Sequence, residues 1–329
     1  MSNPPRHGEG DQPQAGGGGV RLGEADVAEN PPPLAGASGP SRRPRRGGLG
    51  GACLGVLTTA DPDAKVRIAR AAARDWRLGR LSWNFDATMP SRPARGSRPE
   101  LLPPARMPRR GKGGTPANRI ALIHALAHIE YVAVDLAFDL VGRFGGQFPR
   151  AFADDWMRVA GEEAMHFAIL QRRLRQLGSV YGALPAHDGL WEAAEATAHD
   201  AAARLAIVPM VLEARGLDVT PQTIARFGAA GDTVTARLLE RVLRDEVRHV
   251  GAGVRWFRHA VAGHAESPED VWKMLVATYF NGAIKPPFND SARAAAGLTM
   301  EFYQSVASGN ASAPDMVPSS REGHFSRAT

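Results

Sequence analysis

Cysteine occurs once, at Cys53, which excludes an internal disulfide and any iron or zinc site built from four thiolates. No stretch approaches the roughly 18 to 20 uninterrupted apolar residues of a membrane-spanning helix, and the first 30 residues lack the apolar core of a secretory signal. A soluble cytoplasmic protein with no membrane partner is therefore expected. The chain also lacks a rubredoxin-like cysteine set and a flavin fingerprint, so any redox turnover needs an external electron donor. Metal chemistry has to rest on carboxylates and histidines. At 329 residues and 43% hydrophobic content, the chain is long enough to bury one sizeable core with appendages.

Negative charge is scarce in one part of the sequence only. The net charge is +6, but residues 1–115 carry 19 Lys and Arg against 10 Asp and Glu, leaving 21 against 24 for the rest. The basic excess falls largely in Pro/Gly/Arg-rich stretches around Arg42–Arg46 and Arg106–Arg110. Residues 1–50 offer too little apolar surface to offset the entropy of ordering them, and read as a disordered tail. Such an arm also admits RNA or another anionic surface as a partner, although a solvated linker is the simpler reading. Residues 51–115 read as an accessory helix, opened by Pro62 and Asp63, followed by an extended proline-rich segment. Residues 116–263 form the organised domain, 264–306 a C-terminal helical extension, and 307–329 a second disordered tail.

Within 116–263 the apolar periodicity predicts four long helices, at about 117–143, 150–177, 188–216 and 231–262, with a short helix near 222–227 joining the last two. Phe144–Pro149 separates the first pair, and Gly178–Gly189 the second helix from the third. The latter 12-residue connection spans about 40 Å when extended, longer than the roughly 30 Å of a 20-residue helix. It can run the length of a bundle as a crossover. The fold class expected is all-α, a four-helix bundle with a long crossover between helices two and three.

The inward stripe of each helix carries an acid in its apolar middle: Glu130 between Ala127 and Val134, Glu163 between Val159 and Leu170, Glu213 between Pro209 and Leu217, and Glu246 between Val242 and Gly253. Isolated ionised carboxylates are costly to desolvate, and no Lys or Arg lies on those stripes to compensate. Two divalent cations would. His166 and His249 follow Glu163 and Glu246 by three residues, and a Glu plus a Glu-x-x-His from paired helices is the arrangement by which bundle proteins hold two iron or manganese ions. The offset repeats: 33 residues separate Glu130 from Glu163, and 33 separate Glu213 from Glu246. The expected ligands are Glu130, Glu163, His166, Glu213, Glu246 and His249, with the four glutamates as metal-bridging carboxylates. The cofactor is two iron ions, or manganese or a mixed Mn/Fe pair.

Through Glu162-Glu163-Ala164-Met165-His166 and Asp245-Glu246-Val247-Arg248-His249 the chain resembles the ferritin-like di-metal carboxylate superfamily. The second motif resembles the Asp-Glu-x-Arg-His signature of bacterial multicomponent monooxygenases. Leu126–Glu130, Pro185–Trp191 and Glu213–Asp218 resemble an uncharacterised bacterial family of ferritin-like domains, over about residues 52–305 and including Lys285–Asn289. The resemblance implies a ferritin-like bundle and a metal centre, and names no substrate. It makes Asp245 a hydrogen-bond partner for a ligand histidine. Glu162 occupies the symmetric position and reads equally as that or as a surface residue.

Pro209, four residues before Glu213, should kink the third helix. His124 and His128 lie off the Glu130 face and read as surface or interface residues. Asp188 reads as a helix cap, and Tyr131 should point away from the site. The expected function is O2 activation for oxidation or hydroxylation of a small organic substrate. The alternatives are ferroxidase-type metal handling and a tRNA-modifying oxygenase; a homodimer is admitted.

Overall fold

The computed structural model of the protein describes residues 47–108 and 114–307. Apart from residues 47–50 and Ala307, the two expected tails lie outside the described residues, as does much of the arginine-rich sequence. Among the described residues the protein is all-α, with two isolated backbone bridges, Gly48 to Ser82 and Leu101 to Ala186, and no strand.

Helix starts follow local chemistry. The expected accessory helix is two helices, α1 (Leu49–Leu57) and α2 (Pro62–Arg77). Pro62 cannot continue α1, and the Asp61 carboxylate instead caps α2 by accepting from Ala64 N at 2.7 Å. α1 begins inside the stretch expected to be a tail. Leu49 and Cys53 are fully buried, and Leu49 N and Gly50 N donate to Ser82 O and Asn84 O. Residues 82–108 are irregular apart from a 3-10 turn at Pro104–Arg106. They are pinned to the helices by Ala94 N to Leu57 O, Leu102 N to Ala186 O and Trp191 Nε1 to Ser91 O.

α3 (Pro116–Phe144) and α4 (Arg150–Gln176) form the most extensive helix pair. Between them the chain turns at Gly145–Gln147, where a Cβ on Gly145 would fall 2.5 Å from the Phe85 ring. Averaged hydropathy picks out Pro116–Gln147 as long and apolar enough to cross a membrane, but 67% of its most apolar window is buried inside the protein. Its acids are partnered there. Asp135 pairs with Lys65 and Arg95, and Asp139 with Arg143 and Arg204. α3 is a core helix.

The expected third helix is not continuous. It divides into α5 (Gly189–Ala196), α6 (Ala201–Ile207), a π-helical turn (Val208–Glu213) and α7 (Ala214–Ala229). Arg204 holds the first break open: its guanidinium donates to Ala194 O at the end of α5 and to Thr197 Oγ1, while also pairing with Asp139. Asp200 then caps α6. The kink expected at Pro209 takes the form of a π turn that contains the proline, whose missing N–H interrupts the regular helical bonding there. Downstream, α7 runs through Gly216 and Pro221, where a connection and a separate short helix were expected. The carbonyl that Pro221 leaves free is that of Leu217, and Asn289 Nδ2 fills it at 3.1 Å. Pairing along the sequence could not show that tertiary rescue.

α8 (Thr233–Ala260) packs on α4, α6, the π turn and α7. α9 (Pro268–Tyr279), α10 (Asp290–Ala295) and α11 (Met300–Ala307) complete the chain, with Arg293 clamped on both oxygens of Asp218 at 2.8 and 2.7 Å. One contact tests the account of the π turn. A Cβ on Gly253 of α8 would lie 2.5 Å from Pro209 Cβ and 2.6 Å from Cγ, ring atoms that cannot swing aside. Gly253→Ala should therefore cost about 1 to 3 kcal/mol and lower Tm by several degrees in calorimetry. An unchanged Tm would show that the turn is not tightly packed.

Candidate metal centre

The helices bring the predicted acids and histidines to one buried cluster. Glu130 comes from α3, Glu163 and His166 from α4, Glu213 from the last residue of the π turn, and Glu246 and His249 from α8. One donor atom each from Glu130, Glu163, His166 and Glu246 lie within 4.8 Å of one another, an arrangement able to hold a metal ion. His166 Nδ1 is 3.4 Å from Glu130 and 3.5 Å from both Glu163 and Glu246. His249 joins them, with Nδ1 2.7 Å from Glu163 and 3.5 Å from Glu246. Glu213 is close enough that Glu163, Glu246 and Glu130 all raise its pKa.

Most of the cluster is buried, although the Glu246 side chain stays 13% exposed, and its members satisfy one another poorly. His166 and His249 are fully buried, Glu163 is 1% exposed and Glu130 6%. Among the described residues Glu163 Oε2, Glu213 Oε2, His166 Nδ1 and His249 Nδ1 are buried and make no well-directed hydrogen bond, the 2.7 Å approach of His249 Nδ1 to Glu163 Oε1 being an ion-pair contact only. Buried polar atoms seldom go unpaired. Here four of them face one interior, each an oxygen or nitrogen of a type that binds divalent metals.

The other imidazole nitrogens are committed in a crossed pattern. His166 of α4 meets Asp245 of α8 (Nε2 to Oδ2, 3.0 Å), and His249 of α8 meets Glu162 of α4 (Nε2 to Oε2, 2.9 Å). Each carboxylate thus sits one residue before a predicted ligand on its own helix and orients the histidine of the other. Arg248 ties the two together, donating to Glu162 at 3.0 Å and Asp245 at 2.6 Å. With Nε2 fixed, each ring presents Nδ1 to the cluster, the support that metal-binding histidines generally need. The symmetric placement of Glu162 is matched by its contact; Arg248 had no assigned role, although its spacing of three from Asp245 on one helix face was a usable signal.

Electrostatics divide the carboxylates. Burial dominates Glu130 and Glu213 and holds both well above the usual carboxylate range. Burial also acts on Glu163, but the charges of His249 and His166 outweigh it and lower its pKa. For both histidines burial opposes protonation, and the surrounding glutamates more than reverse it. Burial raises Glu162 and Asp245 too, less than the neighbouring histidines and Arg248 lower them.

The remaining expectations separate. Tyr131 does point away, lying beside Lys65, Arg95 and Tyr181. Asp188 stands at the start of α5 without capping it and pairs with Arg92 instead. His124 and His128 are buried rather than exposed, at 1% and 4%, because the crossover folds over them. His124 Nε2 accepts from Gly182 N at 2.9 Å, and His128 bonds Tyr181 Oη at 2.9 Å and His187 O at 3.2 Å. Burial pushes the His128 pKa down to about 3, leaving the ring neutral. Both histidines also line an apolar cavity of about 140 Å³ with Ile129, Leu184 and Leu190.

With this geometry in place, comparison with known proteins gives a family. Residues 58–304 match the model described as a protein of unknown function, DUF455. The chain belongs to the DUF455 family. All six predicted ligands, together with Glu162, Asp245 and Arg248, fall inside the DUF455 region. A curated relative, an uncharacterized protein of Haemophilus influenzae, is 38% identical over 208 residues, covering 61% of this chain and 72% of the relative. No solved structure matches.

The protonation pattern makes a prediction about metal uptake. A metal taking the Nδ1 atoms must displace the protons that the raised pKa values hold on His166 and His249, and those on Glu130 and Glu213. Affinity for ferrous or manganous ion should rise with pH, with two or more protons released per chain. Calorimetric titration in buffers of different ionisation enthalpy measures this; pH-independent binding without proton release would contradict it.

Proposed function

We propose that this protein is a di-metal carboxylate oxidase or oxygenase. Its centre would be a pair of iron ions held by Glu130, Glu163, His166, Glu213, Glu246 and His249 inside a ferritin-like bundle of α3, α4, α6–α7 and α8. The observation that carries the reading is the crossed pair of carboxylate-held histidines around four orphaned donor atoms. A structural polar cluster would be expected to satisfy its own hydrogen bonds. A one-metal reading accounts less well for six inward donors repeated with the same offset in two helix pairs.

When bound, two reduced irons supply electrons to O2, the chemistry that oxygen- and nitrogen-ligated di-iron pairs carry. The residues of the chain do the rest. Glu162 and Asp245 keep the two imidazoles oriented and their Nδ1 atoms inward. The apolar residues flanking each glutamate exclude bulk water, which protects reactive species from side reactions. The π turn sets the angle at which Glu213 enters, and a local change of helical register there is a route for moving that carboxylate without moving α7.

Hydroxylation of a substrate C–H inserts one oxygen atom and sends the other to water, consuming two electrons and two protons. Those electrons come from outside the chain. The test is O2 uptake by ferrous-loaded protein with an excess of chemical reductant. Metal-dependent uptake is expected, reduced at least tenfold in Glu163→Ala or Glu246→Ala of intact helical content. Uptake no faster than that of free ferrous ion, or unchanged in both variants, would overturn the proposal.

A further inference from the structure

The outer side of the centre carries an unusual charge. On α2, Arg67, Arg70, Arg74 and Arg77 follow one another at intervals of three, four and three, which places them in a single exposed row. They line a groove of about 1100 Å³ against α4, together with Arg158, and its floor reaches Gly161 and Glu162. From Glu162 the contact passes to Arg248 on α8. Arg237, Arg241 and Arg244 precede Arg248 at intervals of four, three and four, so a second exposed row runs along α8.

Contacts set the order of the helices. α4 lies between α2, through Trp76 to Asp154 and Ala73 to Gly161, and α8, through Trp256 to Asp155 and Arg248 to Glu162. The acids on this face are few or already engaged: Glu162 and Asp245 hold histidines, Asp154 accepts from Trp76, and Glu240 stands alone in the α8 row. Arg67, Arg70, Arg77, Arg158, Arg237 and Arg241 form no ion pair among the described residues.

We propose that this α2–α4–α8 face docks an acidic one-electron carrier protein, of ferredoxin type, that reduces the metal centre. The assignment rests on the redox reading above. A dense positive surface steers and orients an anionic partner. The path inward is short: Glu162 on the surface is one hydrogen bond from His249, and Asp245 one from His166. The α2–α4 groove itself does not open onto the centre. A Cβ at Gly161 would sit 3.1 Å from Ala73 Cβ, and neither Glu163, His166 nor His249 lines the groove. A nucleobase seated in that groove touches none of these three residues, whereas an electron needs only the bonded path. Two docking events deliver the two electrons that a turnover consumes.

The test uses the full chain and an acidic [2Fe–2S] ferredoxin as probe. Binding is measured on metal-free and metal-loaded protein, so it is independent of activity. Kd should weaken about tenfold or more from low to physiological salt, and by a similar factor in Arg70→Glu/Arg158→Glu/Arg244→Glu, with the matching Lys variant retaining binding. In stopped flow, reduction by reduced ferredoxin should slow in the Glu variant, while reduction by photoreduced deazariboflavin stays unchanged. Absent binding, or binding indifferent to the substitutions, overturns the docking site even if deazariboflavin reduces the centre. Failure of deazariboflavin to reduce the loaded wild type overturns the redox reading, and electron delivery here with it. An RNA oligonucleotide that displaces ferredoxin through the same arginines, and binds tenfold tighter, assigns the face to nucleic acid and overturns the proposal.

Discussion

Ionisable groups at mid-height in an apolar helical interior have to be compensated, and most of the structure around this centre is organised by that requirement. Four glutamates and two histidines meet in a largely buried interior, and the desolvation of an unpaired carboxylate there costs several kcal/mol. The chain compensates partly with its own protons: burial keeps Glu130 and Glu213 in their acid form, and the glutamates keep the histidines charged. Compensation by protons leaves four donor atoms without a well-directed hydrogen bond among the described residues. Cations would satisfy the same atoms directly, which is why metal uptake and proton release are two sides of one equilibrium.

The supporting structure is built to hold those donors still. Asp245 and Glu162 reach across between α4 and α8, and Arg248 bridges them, so neither histidine can rotate without breaking contacts on the opposite helix. Further out, buried ion pairs carry the same logic. Asp139 of α3 is neutralised by Arg204 and Arg143, and Arg204 also closes the carbonyl end of α5. A buried ion pair is weak evidence of stability by itself, but removing one member strands the other. These pairs tie the crossover and the broken third helix to α3, and so fix the height at which Glu213 enters.

Much of the centre was legible in the sequence because its signal is periodic. Glu-x-x-His occurring twice, each with a glutamate 33 residues upstream, follows from helices of similar length folded back on one another. The all-helical class, the start at Pro62 and helices beginning near 117 and 231 follow from apolar spacing, within two residues of the observed Pro116 and Thr233. What was not legible depends on partners distant in sequence. Pro221 continues α7 only because Asn289 fills the carbonyl it frees. His124 and His128 looked like surface residues, since helical phase alone cannot show that residues 181–187 lie over them. The break at 197–200 depends on Arg204, which local sequence reads as an ordinary helical arginine.

The claim on which the whole reading depends is that the six side chains hold two metal ions. Elemental analysis of protein expressed in iron- and manganese-supplemented medium, beside Glu163→Ala, addresses it directly. About two transition-metal ions per chain are expected, lost in the variant while its helical content is kept. Protein that carries no metal and cannot be reconstituted with ferrous ion would contradict it, and would leave the cluster as a proton-compensated structural network.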